Sequence, residues 1–395
     1  MTYVNFKEEV HVAKKQLKHR NDNNNQLIAQ MKHEKEKLRE KYNQKYSFKD
    51  IKGKVINNAK IEKENEFLNI TDEKIACANF IDCKFYNIRF FECTFIGCIF
   101  ENCDFGGGGV LFENCTFIKS DSDKTPSLNI KDNLSCTFKD SKIYCKFLSS
   151  DISYLIIENS NINNTNFELT HAVSMIIDNC QMKKIDIIDS DLSGMKLVET
   201  YIEDLEFNDK VKTKLDEKTF FDKIKLKKKT RNEYEGVYMV YQNIANTFRN
   251  NNLRNNFGEY YYLARCTQRK SLDLFPRIIS TIELLTSGYG ERIFTPLFAS
   301  LVLSFVFAVI YMFSGFSIDG RTIKYGLATI FSSNFRQLLT DFNVSLKMSI
   351  GIFGGLGEDI AQTTGESYII SNIETIIGLM MIGLGIGTLT RKIVR

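Results

Sequence analysis

The chain has 395 residues, and its 52 Lys and Arg nearly balance its 48 Asp and Glu. That length leaves room for two or three domains with a sizeable core. The ten Cys fall between Cys77 and Cys266, and only four His occur. Cys-x4-Cys steps without partnering histidines exclude a zinc-type site. The opening MTYVNFKEEVHVAKK, charged from Lys7 and without an apolar core, argues against a disulfide framework. Reduced, buried cysteines in a cytosolic domain are expected.

Charge changes along the chain. Residues 1–67 carry 16 bases and 10 acids, 68–207 carry 12 and 22, 208–292 carry 17 and 10, and 293–395 carry 7 and 6. An acidic block therefore lies between two basic ones, and the last hundred residues are poor in charge. Residues 1–67 form a charged helical segment whose best stretch is LIAQMKHEKEKLREKY, with Leu27, Ile28, Met31 and Leu38 as a thin apolar stripe. A loosely docked or partner-bound helix is expected there. Acids interleave with the bases, so a nucleic-acid-binding arm is not expected.

Residues 68–207 repeat. In ANFIDCKFYNIRFFECTFIGCIFENCDF a phenylalanine stands at 80, 85, 90, 95, 100 and 105. Two residues before each stand Ala78, Cys83, Ile88, Cys93, Cys98 and Cys103. The beat returns at thirteen consecutive positions from Phe147 to Phe207, after an irregular stretch containing GGGG (Gly106 to Gly109) and IKSDSDKTPS. A period of five fits neither a helix at 3.6 nor a strand at 2. It fits a chain that turns a corner every five residues and stacks its turns, with the large residue and the small one before it pointing to the axis. The pattern resembles the pentapeptide-repeat family. The resemblance implies a right-handed quadrilateral β-helix with four repeats per coil. It makes Cys83, Cys93, Cys98, Cys103, Cys115, Cys136, Cys145 and Cys180 small inward residues and leaves His171 at a corner. Some members of that family mimic DNA with an acidic surface; here the outward acids are read as solubilising the solenoid.

Residues 208–275 form a basic linker, KIKLKKKTRNEY, and a helical hairpin over about 232–250 and 256–271. The run Lys225 to Arg231 suits either solvent or anionic headgroups. Residues 276–292 read as an amphipathic juxtamembrane segment lying along a membrane surface, ending in TSGYGER, which is read as a turn.

Residues 293–395 contain two candidate membrane spans, 293–318 without a charge and 368–390 with Glu374 alone. Bases before the first span and the terminal RKIVR place both termini in the cytoplasm of a cell or inner membrane, with the protein multi-pass. Between the spans, residues 341–359 hold a segment long enough for a short helix, then GIFGGLGED. A phosphate loop would end in Gly-Lys-Ser/Thr, whereas Glu358 and Asp359 would repel phosphate. The order of span, short helix, glycine turn, acids and span resembles the two-span, potassium-channel-like pore family, whose filter reads Thr-x-Gly-Tyr-Gly-Asp. On that pattern Phe353 stands at the Thr place, Gly355 and Gly357 match the two glycines, Leu356 replaces Tyr and Glu358 replaces Asp.

The resemblance implies an α-helical two-span pore module with a re-entrant loop, four subunits around one path, and monovalent cations passing Gly354 to Gly357. Glu358 and Asp359 would concentrate cations at the mouth. The changes at 353 and 356 remove a hydroxyl site and a hydrogen-bonding cuff, so the resemblance does not name the ion. Glu374 is expected to support the pore, placed to hydrogen-bond to the glycine loop. Gly378, Gly383, Gly385 and Gly387 are expected to allow hinging or close packing.

The expected protein is a multidomain membrane protein: a passive channel, homotetrameric in the bilayer, assembled or gated by its solenoid, which offers a surface to a cytoplasmic protein partner. The alternative is a membrane-anchored scaffold that does not conduct. No nucleophile–base pair or metal cluster suggests an enzyme or a cofactor.

Overall fold

The five-residue beat becomes a stack of coils. The computed structural model describes residues 4–56, 67–106, 108–119, 134–318, 320–326, 334–356 and 361–393, and the chain divides into two units, Met1–Ser271 and Leu272–Arg395. In the first unit, parallel strands pair with a step of twenty residues: Ile156–Glu158 lies on Ile176–Asp178, and that strand on Lys196–Val198. Twenty residues hold four pentads, so each large residue meets its counterpart one coil away. Four aromatic columns result. Phe80, Phe100 and Phe138 stack with ring centroids 5.1 and 4.6 Å apart, Phe85 lies on Phe105 at 4.7 Å, and Phe95 on Phe117 at 4.8 Å. In the fourth, Phe90, Phe112, Phe147 and Phe167 follow at 5.1, 5.2 and 5.4 Å. Neighbouring strands lie about 4.8 Å apart, so one backbone ladder sets both hydrogen bonding and ring stacking. One face carries eight successive strands, about seven turns of solenoid.

The small inward residue is a hydrogen-bonding group as well as a spacer. Ser141 Oγ donates to the Phe100 carbonyl at 3.1 Å and accepts the Cys103 N–H at 3.0 Å. Cys103 Sγ in turn lies 3.3 Å from the Phe80 carbonyl oxygen. Cys, Ser and Thr are interchangeable at this position because each fits the space and satisfies a buried carbonyl. Corners follow the same beat. φ is positive at Asp72, Cys77, Asp82, Asn87, Glu92, Gly97 and Asn102, and at every fifth residue from Ser149 to Asp204. Asn, Asp and Gly enter that region at least cost, which accounts for their recurrence two residues after the large apolar one.

The ladder extends beyond 68–207 at both ends. Asp50–Lys52 pairs with Asn79–Ile81, and Phe220–Phe221 pairs with Lys196–Leu197. These outer strands lack the five-residue beat because their steps, from Asp50 to Asn79 and from Lys196 to Phe220, are longer than one coil. The longer step from Ile99–Glu101 to Thr137–Lys139 also keeps the phase, since these strands still pair in register.

Helix α1 (Phe6–His33) docks along one face of the coils, and the short α2 (Lys35–Leu38) follows it. Leu17 packs on Ile156 and Ile176, while Met31 sits with Ala76, Cys77, Ile96 and Leu134. Most of the remaining seam is polar. Lys14 Nζ lies 2.6 Å from Asp178 and 3.0 Å from Glu199, and Lys196 Nζ 2.7 Å from Glu9. Buried Arg20 donates to the Ser174 and Tyr154 carbonyls at 2.7 and 3.3 Å. Burial lowers its guanidinium to about 10, which still leaves it a cation at neutral pH. Asn24 exchanges hydrogen bonds with Ser135, accepting its N–H at 3.2 Å and donating to its Oγ at 3.0 Å.

The other end is closed by the hairpin of α3 (Arg231–Asn250) and α4 (Arg254–Ser271). Thr230 and Glu233 start α3: the Glu233 N–H reaches Thr230 Oγ1 at 3.3 Å, and the carboxylate accepts the Lys227 and Lys228 N–H groups at 2.7 and 2.8 Å. The basic run thus lends its backbone to a helix cap. Tyr260 is fully buried, and its hydroxyl binds the Phe221 N–H and carbonyl, both at 2.8 Å, satisfying the last rung of the ladder.

Phe100→Ala is expected to destabilise the solenoid by about 3–5 kcal/mol, because a fully buried ring is lost from the middle of a stack. Amide exchange over residues 79–81, 99–101 and 137–139 measures this; unchanged protection there would show that the columns do not hold the coils.

The second unit contains α5 (Leu274–Ser287), α6 (Phe294–Ser314), α7 (Phe335–Phe353) and α8 (Tyr368–Ile393). The first expected span stops at Ser314 rather than 318, because Gly315 has φ +96° and Phe316–Ile318 becomes a strand. That strand pairs with Arg321–Ile323 on one side and Gln362–Thr363 on the other. The second span runs on to Ile393. The helix between them begins at Phe335, earlier than 341, because Asn334 caps it by accepting the Arg336 N–H at 3.1 Å.

Candidate functional site

Hydroxyl groups fix the course of α7 beside α6. Ser345 Oγ donates to the Ala308 carbonyl at 2.8 Å, and Ser349 Oγ to the Ser304 carbonyl at 2.9 Å. As α7 advances, its partners on α6 recede, so the two helices are antiparallel. α8 runs in the direction of α7, with Glu374 at the level of Ser349 and Gly378 at the level of Phe353. From Tyr368 to Gly378 the rise is roughly 15 Å at 1.5 Å per residue. The chain leaves α7 at that depth yet reaches Gln362–Thr363, whose strand pairs with Phe316 and Ser317 just past the end of α6. It therefore enters as a helix and returns to the end where it started before α8 begins.

Glu374 is fully buried where α6, α7 and α8 meet. Tyr311 Oη donates to its Oε2 at 2.7 Å, and Ser349 Oγ, which also faces the Ser304 carbonyl, shares a hydrogen bond with its Oε1. Among the described residues, these two hydroxyls hold the carboxyl group. A buried carboxyl is tolerated only with hydrogen-bond partners on its oxygens, and here a hydroxyl reaches it from each neighbouring helix. Nearby, Tyr325 Oη donates to buried Asp341 Oδ2 at 2.6 Å.

The glycines have distinct places. Phe353 is the last residue of α7 and is buried. Gly355 has φ +70°, its N–H reaches the Ile352 carbonyl at 3.0 Å, and the Leu356 N–H reaches the Gly351 carbonyl at 2.9 Å. This is a Schellman cap, so Gly354 and Gly355 first of all terminate a helix. Leu356 is exposed. Gly357, Glu358 and Asp359 lie outside the described residues. Gly378 is required by close approach: a Cβ there would sit 2.1 Å from the Phe353 carbonyl oxygen. Gly385 has the Pro296 Cβ at 3.9 Å, while Gly383 and Gly387 face open space.

Sequence reasoning found Glu374 as a lone acid in an apolar span but missed Tyr311, Ser304, Ser345 and Ser349. Their signal was present: Ser304 and Tyr311 lie seven residues apart, two turns on one face of α6. In the solenoid, burial pushes the Cys103 and Cys180 thiols up to about 12, so neither is poised to react. His171 is exposed at a corner beside Asp151 and Asp191. Among the described residues no three His, Cys, Asp or Glu side chains are grouped to hold a metal ion.

No family model and no curated protein matches the chain. Solved structures do. A trypsin-treated form of QnrB1, a plasmid-mediated fluoroquinolone resistance protein, is similar over 39% of this chain and 89% of its own, at 13% identity and a TM-score of 0.18. Full-length QnrB1 is similar over 42% and 92%, at 16% identity and a TM-score of 0.14. Rfr23, a pentapeptide repeat protein from the cyanobacterium Cyanothece 51142, is similar over 30% and 88%, at 16% identity and a TM-score of 0.17. What makes the repeat region of this chain a β-solenoid is the twenty-residue pairing register and the five-residue corners.

Proposed function

We propose that the chain is one subunit of a cation-conducting membrane pore, with the solenoid as a cytoplasmic domain that assembles or gates it. One observation carries the reading. α7 enters between α6 and α8 for roughly half their length, and the chain climbs back to the same end before α8 starts. Non-helical backbone at that depth is tolerable only where it lines a cavity, and its carbonyls can replace an ion's water shell.

The membrane part of the reading is supported by exposure. Two helices, Phe294–Ser314 and Tyr368–Ile393, are long and apolar enough to cross a bilayer, yet only 28% and 22% of their most apolar stretches are buried. Core helices of a soluble protein would be mostly covered; here Phe298, Leu301, Ile376, Leu379 and Ile386 stand exposed. Lipid or a further copy of the chain satisfies such a surface. α5 shows the same on one side only, with Leu274, Ile278, Ile282 and Leu285 exposed, which suits a helix lying in the interface. One loop cannot enclose a path, so several copies, four in the favoured arrangement, surround it.

Reconstitution into bilayers under asymmetric potassium, sodium and chloride is the test. A reversal potential that follows the cation gradient is the expected result, and no conductance under any solute or voltage would overturn the reading. The side chains at 353 and 356, which carry no hydroxyl, favour a second reading, a membrane-anchored scaffold without conduction. Only under that reading would an unrelated anchor in place of the two spans preserve cellular function.

A further inference from the structure

The turn between α5 and α6 is shaped around the far end of α8. Gly288, Tyr289 and Gly290 all have positive φ, at 55°, 58° and 74°. Tyr289 is pinned to α5 by a 2.9 Å hydrogen bond between its hydroxyl and that of Ser280. The tight curl delivers Glu291 to a fully buried position, where its Oε1 lies 3.0 Å from Arg391 Nη2. Gly290 leaves the room the guanidinium needs, since a Cβ there would sit 3.0 Å from Arg391 Nη1. The Gly-Tyr-Gly-Glu order is thus accounted for by one side chain about a hundred residues away. A buried carboxylate is stable only when paired and hydrogen-bonded, so the turn and the end of α8 depend on each other.

We infer that the Gly288–Glu291 turn is a latch on the C-terminal end of α8, with Glu291 and Arg391 as the positioning pair. When the pair is intact, the last two turns of α8 stay against the α5–α6 corner; when it opens, they are free to swing. That the swing controls conduction rests on the pore reading above. That the turn holds α8 does not.

The test uses the full chain in liposomes. Amide exchange over residues 386–393 is measured for Glu291→Gln, Arg391→Gln and the double variant, with cation flux read from the same preparations. Arg391→Gln removes the cation that faces the buried Glu291 carboxylate and is expected to raise exchange there by about tenfold or more. The double variant is expected to recover most of the protection, because no charge is then left at 291 to face the missing guanidinium. Arg391→Lys keeps the charge and is expected to stay near the wild type, which separates the latch from general misfolding. Strands 156–158 and 176–178 report on folding in the same spectra. Unchanged exchange in Arg391→Gln, additive effects in the double variant, or Arg391→Lys behaving like Arg391→Gln would each overturn the latch. Exchange that changes as expected while no variant, nor the wild type, passes cations leaves the latch standing and removes the pore.

Discussion

Gly378→Ala is expected to unseat α7 from α8. The new methyl group would meet the Phe353 carbonyl oxygen at 2.1 Å, its carbonyl carbon at 2.9 Å and its Cα at 3.0 Å. All three are main-chain atoms, so no rotamer change relieves the overlap and one helix must move. Overpacking of this kind costs about 1–3 kcal/mol, occasionally more, against a gain of about 1 kcal/mol from Ala replacing Gly in a helix. Gly383→Ala and Gly387→Ala meet no atom within 4 Å and collect only the propensity gain. Thermal unfolding in detergent should therefore separate the three variants, with Gly378→Ala below the wild type and the other two at or above it. Equal midpoints for all three would show that the α7–α8 approach is not close.

The second large effect is expected at Glu374. Glu374→Ala deletes the group on which Tyr311 and Ser349 converge and leaves a cavity among three helices. Loss of about 2–5 kcal/mol is expected, the scale of a large-to-small substitution at a buried site. Glu374→Gln keeps one carbonyl oxygen as an acceptor and should cost much less. Tyr311→Phe removes one donor and should cost about 0.5–1.5 kcal/mol, the range for an ordinary intramolecular hydrogen bond. Denaturant midpoints of the three variants order these effects. If Glu374→Ala unfolds no earlier than Glu374→Gln, the carboxyl group does not hold the helices together.

The same contrast explains what could be read without coordinates. The columns were legible because Phe80 to Phe105 repeat an apolar residue at a fixed interval, and apolar burial is local information. The corners were equally periodic, through Asp72, Asp82, Asn87 and Asn102, but a polar residue that adopts positive φ gives no hydrophobic signal. α1 was half legible. Leu27, Ile28 and Met31 form a visible stripe, whereas Arg20 and Asn24 are buried by carbonyl and hydroxyl partners more than a hundred residues away. In GIFGGL, the glycines after an apolar helical run carry a helix-end signal as well as a filter-like one, and Gly355 expresses the first. Glu374 announced itself as an isolated charge. Its donors did not, because a serine or tyrosine in an apolar span is common and its direction depends on packing.

The seam between α1 and the coils sets a limit on inheritance. One helical turn advances 5.4 Å and one coil about 4.8 Å, so the helix meets Lys196, Asp178, Ser174, Glu158 and Ser135 nearly one turn per coil. Repeat arrays lengthen and shorten readily by duplication of whole units. Here a duplicated coil between Ser135 and Asp178 would separate the partners of Asn24 and Lys14 by one further layer, and a rigid helix could not serve both. α1 therefore acts as a gauge of coil number, and a change in the length of the solenoid would have to be matched by a change of about three residues in the helix.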